Sequence, residues 1–260
     1  MLMPSPLSRR RRPRRNAPGP ARPSQPVWLF DLDNTLHRAS HAIFPAINEA
    51  MTRYIVDTLG VGRAEADRLR LGYVRRYGAT LLGLARHHPI DPNDFLRVVH
   101  TFPDLRAMLR AERGLARLIA ALPGRKLILT NAPEAYARTV LSELGIERLF
   151  ERVIAIEHMR RRGRWHAKPD LPVLRRVLRE ARVPVADAVL VEDTRGHLKR
   201  YRRLGIRTVW IVGHLKAAPR KNGSTARLPG TGRPHYVDRR VRSLKSLRRL
   251  TTSRGAHAGD

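Results

Sequence analysis

Cysteine is absent from the 260-residue sequence, and this absence excludes several kinds of protein. Without cysteine there can be no disulfide framework, no zinc site built from thiolates and no thiol nucleophile. Any covalent catalysis must therefore use an oxygen or nitrogen nucleophile. The composition fits a reducing compartment, and we expect a cytoplasmic protein.

Long apolar runs are also missing, because no stretch approaches the roughly twenty apolar residues of a membrane helix. Residues 1–26 contain the run RRRRPRR at positions 9–15, followed by a segment rich in proline, alanine, glycine and serine. A secretory signal would continue with an apolar core, and the prolines prevent the amphipathic helix of a mitochondrial presequence. We therefore expect residues 1–26 to form a disordered Arg/Pro-rich tail and the protein not to associate with a membrane.

Acidic residues are scarce, with 22 Asp and Glu against 52 Lys and Arg, which gives a formal charge of +30 at pH 7. A basic surface of this kind can bind nucleic acid through counterion release. Much of the charge lies at the two ends, since residues 1–26 hold seven arginines and residues 213–260 hold twelve basic residues and two acids. Only six basic residues are lysine. A general preference for arginine along the whole chain therefore explains the charge better than a surface specialised for nucleic-acid binding does. The pattern does not favour specific nucleic-acid binding.

Short apolar runs rich in β-formers recur along the chain and predict buried strands. They are residues 27–32, 126–129, 153–156, 188–191 and 207–212. Patterns with one apolar helical face occupy residues 133–144, 169–181 and 196–204. Because strands alternate with helices, the sequence predicts an α/β fold, a Rossmann-like parallel sheet with helices on both faces.

The stretch between the first two strands is long, helical in periodicity and without a convincing strand. The helices predicted there are residues 41–59, 63–77, 80–87, 92–100 and 104–122. We interpret residues 38–122 as a helical cap inserted into a catalytic core made of residues 27–37 and 123–212. Residues 213–260 are expected to form a basic extension with a last strand at residues 236–237 and a helix from Asp238 to Leu250.

Polar residues cluster after the predicted strands, where open α/β sheets hold their active sites. The four groups are Asp31 to Thr35, Thr130-Asn131, Lys168-Pro169 and Glu192-Asp193-Thr194. Each group alone is a weak signal, since an Asp-x-Asp pattern or a capped turn often arises by chance. Their occurrence in order, each beside the right element, favours one site at this rim of the sheet.

These four groups resemble the four motifs of haloacid dehalogenase-type phosphatases. The resemblance is carried by FDLDNTL at residues 30–36, LTN at 129–131, KP at 168–169 and VEDT at 191–194, and it covers residues 27 to about 212. The insertion resembles the cap of pyrimidine 5'-nucleotidases in that superfamily, through YGATLLGL at residues 77–84 and IDP at residues 90–92. The resemblance implies a magnesium-dependent hydrolase of pyrimidine nucleoside 5'-monophosphates.

Two aspartates of the first motif suit the chemistry of phosphoryl transfer, which needs an in-line nucleophile and a proton for the leaving oxygen. Asp31 is the expected nucleophile, which would form an aspartyl-phosphate. Asp33 is the expected acid, which would protonate the leaving oxygen and then accept a proton from water. Since an organohalide releases no alkoxide, the second acid favours phosphate esters over organohalides.

The remaining motif residues are expected to hold the metal and the phosphate. The resemblance implies Mg²⁺ with Asp31 and Asp193 as side-chain ligands and Asp33 as a ligand through its backbone carbonyl. It also implies that Glu192 holds a metal-bound water. The phosphate contacts that it implies are the ammonium group of Lys168, the hydroxyl of Thr130 and the backbone N–H of Asn131.

One residue departs from the family pattern, because His197 stands where relatives often carry an asparagine. We expect this change to alter the hydrogen bonds around the acidic pair without removing the metal.

Substrate choice is expected to lie in the cap, which would close over the site and contact the leaving group. The histidines of the cap are more simply explained as surface or satisfied core residues than as substrate contacts. Two alternatives remain: a phosphatase or phosphomutase of the same fold that acts on a sugar phosphate or phosphoglycolate, and a basic nucleic-acid-binding protein with a vestigial site. The intact motifs argue against the second.

Overall fold

A parallel sheet of six strands forms the centre of the computed structural model, which describes residues 25–215 and 232–248. The strands are β1 (Val27–Phe30), β2 (Arg125–Leu129), β3 (Arg152–Ile154), β4 (Ala188–Glu192), β5 (Arg207–Ile211) and β6 (Arg239–Val241). Their order in the sheet is β3-β2-β1-β4-β5-β6. The direction of winding therefore reverses between β1 and β4, which is where open α/β sheets bind ligands. Of the predicted tail at residues 1–26, residues 1–24 lie outside the described residues.

Helices fill the intervals between the strands. Between β1 and β2 lie α1 (Ile43–Leu59), α2 (Arg63–Tyr77), α3 (Thr80–His87), α4 (Pro92–Val99), α5 (Leu105–Met108) and α6 (Leu115–Ala120). The later helices are α7 (Glu134–Glu143), α8 (Leu171–Glu180) and α9 (Arg195–Arg202). Within the described part of the chain, no helix has both the length and the apolar character that crossing a membrane requires.

Both faces of the sheet are apolar, as the continuous hydrophobic run of β1 predicts. Trp28 and Phe30 pack in one cluster with side chains of α6 and α7, whereas Val27 and Leu29 pack in a second cluster with side chains of α8 and α9. Each fully buried aliphatic or aromatic side chain stabilises such a core by about 1.5–3 kcal/mol. The predicted α/β fold with helices on both faces is confirmed.

The first four helices of the insertion share an apolar cluster, which also includes Ile156 and Ala167 from outside the insertion. It includes Tyr54 and Ile55 of α1, Leu84 of α3 and Phe95 of α4. The ends of the helices follow from local chemistry, since α1 stops at Gly60, whose φ of 66° suits the left-handed cap. At the start of α4, the carboxylate of Asp91 caps the helix by accepting a hydrogen bond from the backbone N–H of Asn93. This region is consistent with the predicted cap.

The predicted helix at residues 104–122 is wrong, because the chain forms two short helices, α5 and α6, with an extended segment between them. That segment makes contacts that a helix would not allow. Ala111 pairs in an antiparallel bridge with His37, and the N–H of Arg38 donates to the carbonyl of Arg110 over 2.7 Å. Gly114 then adopts a φ of 74° before α6 begins. Pairing with the segment after β1 therefore overrides the local helical pattern.

The last strand also differs from the prediction, since it runs from Arg239 to Val241 rather than over residues 236–237. Asp238 does not cap a helix here. Its carboxylate accepts hydrogen bonds from the backbone N–H of Thr208 at 2.7 Å and from Arg202 at 3.0 Å, which anchors the chain beside β5. A short 3₁₀ helix follows at Leu244–Arg248, and residues 249–250 of the predicted helix lie outside the described residues.

The boundaries proposed for the core, the cap and the C-terminal extension stay predictions. Side chains of α5 and α6, among them Leu105 and Ile119, pack in the same cluster as Trp28 of β1. The last part of the insertion therefore contacts the sheet directly.

Two helical glycines with different surroundings test the packing of α2 against α3. A Cβ atom on Gly83 would overlap the ring and Cβ of Tyr73, whereas a Cβ on Gly72 would touch no neighbouring described residue. We expect Gly83→Ala to lower the free energy of unfolding by about 1–3 kcal/mol because the two helices must move apart. Gly72→Ala should raise it by about 0.5–1 kcal/mol, because alanine loses less backbone entropy in a helix. Urea denaturation followed by circular dichroism measures both, and shifts of the same sign would contradict the packing described here.

Candidate active site

The carboxyl ends of β1, β2 and β4 meet at one cavity of about 450 Å³. The residues that the sequence motifs nominate all line it: Asp31, Asp33, Thr130, Asn131, Lys168, Glu192 and Asp193. His197 lines it as well. The pairing of the strands explains this convergence, because Phe30 lies beside Ile128 on one side and Val191 on the other. The residues that follow these positions are therefore brought to the same edge.

Lys168 lies at the centre of the site and is almost fully buried, with 1% of its side chain exposed. Its Nζ lies 2.6 Å from Oδ1 of Asp31 and 2.9 Å from Oε2 of Glu192. Burial alone would lower the pKa of this lysine, but the two carboxylates raise the pKa above its ordinary value. The ammonium group therefore stays charged and bridges the ends of β1 and β4.

The segment that carries Lys168 is held by the side chain of Asn131. The backbone N–H of Lys168 donates to Oδ1 of Asn131 over 2.7 Å, and Nδ2 of Asn131 donates to the carbonyl of Lys168 over 3.3 Å. The neighbouring Thr130 is buried, and its Oγ1 accepts a hydrogen bond from the N–H of Ala132 at 3.1 Å. Its hydroxyl proton can therefore still be donated to a ligand. Nothing in the sequence pattern had pointed to the bracing role of the Asn131 side chain.

Asp31 has a hydrogen-bond partner on each carboxylate oxygen. Lys168 contacts Oδ1, and the hydroxyl of Thr35 donates to Oδ2 over 2.8 Å. Burial, followed by repulsion from Glu192, raises the pKa of Asp31 to about 6 despite Lys168. Thr35 belongs to the first motif, but no sequence pattern indicated that its hydroxyl would orient the expected nucleophile.

Asp33 is held by two residues that the sequence reasoning did not connect with it. The phenol of Tyr136 donates to Oδ1 of Asp33 over 2.7 Å, and Nε2 of His37 lies 2.9 Å from the same oxygen. Burial would raise the pKa of Asp33, but His37 and Tyr136 together hold the pKa below its ordinary value. Tyr136 is 103 positions away in the chain, so no local pattern could reveal this contact.

The two acids after β4 have opposite electrostatic environments. Burial would raise the pKa of Glu192, but Lys168 and His197 hold the pKa well below its ordinary value. His197 places Nδ1 3.1 Å from Oε2 of Glu192, and the N–H of Thr194 donates to Oε1 over 3.1 Å. In contrast, burial and the nearby charges of Asp31 and Glu192 raise the pKa of Asp193 to about 9. The site therefore holds more carboxylates than its own cations neutralise.

A cation fits this arrangement of acids. Asp31, Glu192 and Asp193 each offer a carboxylate oxygen, and these oxygens lie within 4.8 Å of one another. Hard oxygen donors with room for water are the ligands that Mg²⁺ prefers. Both oxygens of Glu192 and both oxygens of Asp31 already contact protein groups, so these hydrogen bonds do not rank the three acids as ligands. The carboxylate of Asp33 is not part of this cluster, which is compatible with a ligand role through its backbone carbonyl alone.

The opposite wall of the cavity comes from the insertion and is mostly apolar. Its apolar side chains belong to α1 through α4 and include Phe44, Ile47, Met51, Phe95 and Leu96. The cap residues 78–81 line it too, together with Asn48 and His100. Among the cap histidines of the described chain, His100 is the one that borders this cavity. Lys168 is the only lysine or arginine among the described lining residues.

Comparison with known proteins supports the assignment that the motifs suggest. The profile of the haloacid dehalogenase-like hydrolases matches residues 27–199 of the chain. Phosphate metabolism protein 8 of Saccharomyces cerevisiae is 31% identical over 140 residues, which cover 50% of this chain and 43% of the yeast protein. The chain therefore spans less than half the length of that curated relative.

Solved structures share the fold across both the sheet and the insertion. The HAD phosphatase from Thermococcus onnurineus has a TM-score of 0.57 and 17% identity, over 88% of this chain and 98% of that chain. The HAD-hydrolase YfnB from Bacillus subtilis, a structure bound to magnesium, has a TM-score of 0.52 and 15% identity, over 88% of this chain and 99% of that chain. Because the family profile spans β1 to β4 and all four groups of site residues, the chain belongs to the haloacid dehalogenase-like hydrolases.

Proposed function

We propose that the protein is a magnesium-dependent phosphatase that hydrolyses pyrimidine nucleoside 5'-monophosphates through an aspartyl-phosphate. The observation that carries the proposal is the buried contact of 2.6 Å between Lys168 and Asp31 at the floor of a cavity with apolar walls. A charged lysine holds the carboxylate in place while the cavity offers space for an uncharged leaving group. The alternative is another small phosphate ester, such as a sugar phosphate or phosphoglycolate, as substrate of a phosphatase or phosphomutase.

In the first half of the reaction, one oxygen of Asp31 attacks phosphorus and the bond from phosphorus to the ester oxygen breaks. With its pKa at about 6, Asp31 is mostly ionised at neutral pH and can act as nucleophile. Lys168, the Thr130 hydroxyl and the Asn131 backbone N–H stabilise the charge on the transferring phosphoryl group. Their arrangement around one cavity supports this role.

Asp33 gives a proton to the departing alkoxide and later accepts one from the water that releases phosphate. In the free protein, His37 and Tyr136 hold the pKa of Asp33 below its ordinary value, so the resting carboxylate is ionised. A bound phosphate dianion adds negative charge beside Asp33 and raises its proton affinity. The acid form is therefore favoured when substrate occupies the cavity.

The metal would be held by the side chains of Asp31 and Asp193 and by the backbone carbonyl of Asp33, and Glu192 would bind a metal-coordinated water. When bound, Mg²⁺ supplies positive charge that offsets the repulsion between the carboxylates and the phosphate. The raised pKa values of Asp31, about 6, and Asp193, about 9, reflect how much negative charge this corner holds without it. That imbalance supports a resident divalent cation.

The cavity walls favour a leaving group that is neutral and partly apolar. A pyrimidine base can pack against Phe44, Met51 and Phe95, and cap residues 78–81 lie within the segment that resembles pyrimidine 5'-nucleotidases. A second anionic group would find no lysine or arginine other than Lys168 among the described lining residues. Burying such a charge without a partner is costly, which disfavours phosphoglycolate and nucleoside diphosphates. The name of the yeast relative, Phosphate metabolism protein 8, agrees with a phosphate ester but specifies none.

Replacing the nucleophile should abolish turnover while preserving the fold. We expect Asp31→Asn to reduce kcat on the order of 10³-fold or more, because the amide cannot form the acyl-phosphate. Release of inorganic phosphate from UMP measures the loss, and circular dichroism verifies folding. Asp57→Asn, the same change at an exposed position of α1, is the matched control. Substantial activity in Asp31→Asn would contradict the covalent mechanism.

Removal of the metal should affect both activity and stability. We expect chelator-treated protein to lose activity and to recover it with MgCl₂. The same addition should raise the Tm, since a ligand that binds only the folded state stabilises it by about 2.7 kcal/mol at a hundredfold excess over its Kd. Asp193→Asn should remove the Tm shift, and Asp57→Asn should retain it. Undiminished activity after complete chelation would rule out the metal role.

A substrate panel tests the leaving group. We expect kcat/KM for UMP and CMP to exceed that for phosphoglycolate and UDP by about tenfold or more, since an unpaired buried charge costs at least 1–3 kcal/mol. Glucose 1-phosphate and glucose 6-phosphate complete the panel, with phosphate release and isomerisation recorded separately. Preference for phosphoglycolate would contradict the substrate class, and isomerisation without phosphate release would indicate a phosphomutase.

A further inference from the structure

We propose that Tyr136 and His37 are positioning residues that fix the carboxylate of Asp33 for proton transfer to the leaving oxygen. The inference rests on the proposed function, in which Asp33 is the acid. It follows from a pair of contacts that neither the motifs nor the family assignment includes. Tyr136 belongs to α7 and His37 follows the first motif, so two separate parts of the chain converge on one side chain.

Both contacts fall on the same oxygen of Asp33. The phenol of Tyr136 donates to Oδ1 over 2.7 Å, and Nε2 of His37 lies 2.9 Å from Oδ1. The hydrogen bond from Tyr136 and the close contact with His37, whose Nε2 is not aligned for a hydrogen bond, restrict both side-chain torsions of the aspartate. They leave Oδ2, which neither of them contacts, as the oxygen that carries the proton. The carboxylate is thereby given a defined orientation before substrate binds.

The two side chains that contact Asp33 lie in rigid surroundings. His37 is fully buried, and its backbone pairs with Asp33 and Ala111. Tyr136 is 4% exposed, and its ring centroid lies 5.8 Å from that of Phe102 and 5.3 Å from that of His100. Neither side chain can follow Asp33 if that residue rotates. The pair therefore acts as a fixed anchor rather than as a flexible surface contact.

The carboxylate of Asp33 needs an anchor because nearby negative charges repel it from the reaction site. The carboxylate of Asp33 repels that of Asp31, and a phosphate dianion in the cavity would add to this repulsion. The side chain of Asp33 is 14% exposed, so rotation toward water is available to it. A hydrogen bond to an ionised carboxylate is among the stronger ones in proteins, so the bond from Tyr136, together with the close contact of His37, holds Asp33 beside the reaction site.

Two substrates with different leaving groups distinguish a role in positioning Asp33 from a role in stabilising the fold. An alkyl ester such as UMP releases a strongly basic alkoxide that needs a proton, whereas p-nitrophenyl phosphate releases a weakly basic phenolate that does not. We expect Tyr136→Phe and His37→Leu each to lower kcat for UMP by about tenfold, a part of the 10²–10⁴-fold contribution of general acid catalysis. The KM for UMP and the kcat for p-nitrophenyl phosphate should change by about twofold or less.

Three further variants complete the experiment, which uses the full chain with saturating MgCl₂. Asp33→Asn is the reference and should show the same selective loss to a larger extent. His37→Gln should recover part of the loss, because its amide can donate to Oδ1. Tyr73→Phe removes a phenol that hydrogen-bonds to His88 at 2.7 Å, away from the cavity lining. This control should leave both substrates unaffected.

The outcomes distinguish the inference from the function on which it rests. The positioning role would be overturned if Tyr136→Phe lowered kcat equally for both substrates or for neither. A selective loss in Asp33→Asn would in that case still support Asp33 as the acid. No selectivity in Asp33→Asn would overturn the assignment of Asp33 as acid, and the anchor with it. If His37→Leu does not fold, Tyr136→Phe and His37→Gln decide, since both retain side chains of similar size. If the substrate panel favours another alkyl phosphate, that ester replaces UMP.

Discussion

The crowding of carboxylates around Lys168 is the constraint on which the rest of the site depends. Four carboxylates line the cavity, those of Asp31, Asp33, Glu192 and Asp193. Lys168 is the only lysine or arginine among the described lining residues. The single buried lysine cannot neutralise all of these acids, so their pKa values shift in different directions. The pKa of Glu192 falls, that of Asp31 rises to about 6 and that of Asp193 rises to about 9. A fold that accepts this cost in stability gains a carboxylate held in place and an acidic cluster that suits a cation.

The parallel sheet makes this crowding possible. Lys168 and Asp31 are 137 positions apart in the chain, and Lys168 and Glu192 are 24 apart. They meet because β1 lies between β2 and β4, so the carboxyl ends of three strands face one cavity. The side chain of Asn131 then holds the segment by hydrogen bonds to the backbone of Lys168, and it does not contact the ammonium group. The geometry of the lysine is therefore set by hydrogen bonds that do not neutralise it.

The sequence predicted what short-range patterns determine and missed what depends on distant contacts. The helices at residues 63–77 and 80–87 have their predicted bounds, because helical periodicity and capping are local. The helix predicted over residues 104–122 fails because Ala111 pairs with His37, more than seventy positions away. The motif residues converge as predicted. The contacts of Tyr136 and His37 with Asp33 were missed, since in sequence Tyr136 is an apolar helix position and His37 is an ordinary histidine at the end of the first core segment.

The distribution of charge links the composition to the choice of substrate. The chain carries a formal charge of +30, yet the cavity wall contributed by the insertion contains no arginine or lysine within the described residues. A positive exterior favours the approach of any anionic ester, because long-range attraction does not distinguish one phosphate from another. Discrimination must then arise inside, where the single lysine is already paired with Asp31 and Glu192. Under the proposed function, such a cavity would disfavour surplus negative charge, which finds no partner there, and favour the apolar contact between a neutral leaving group and the cap.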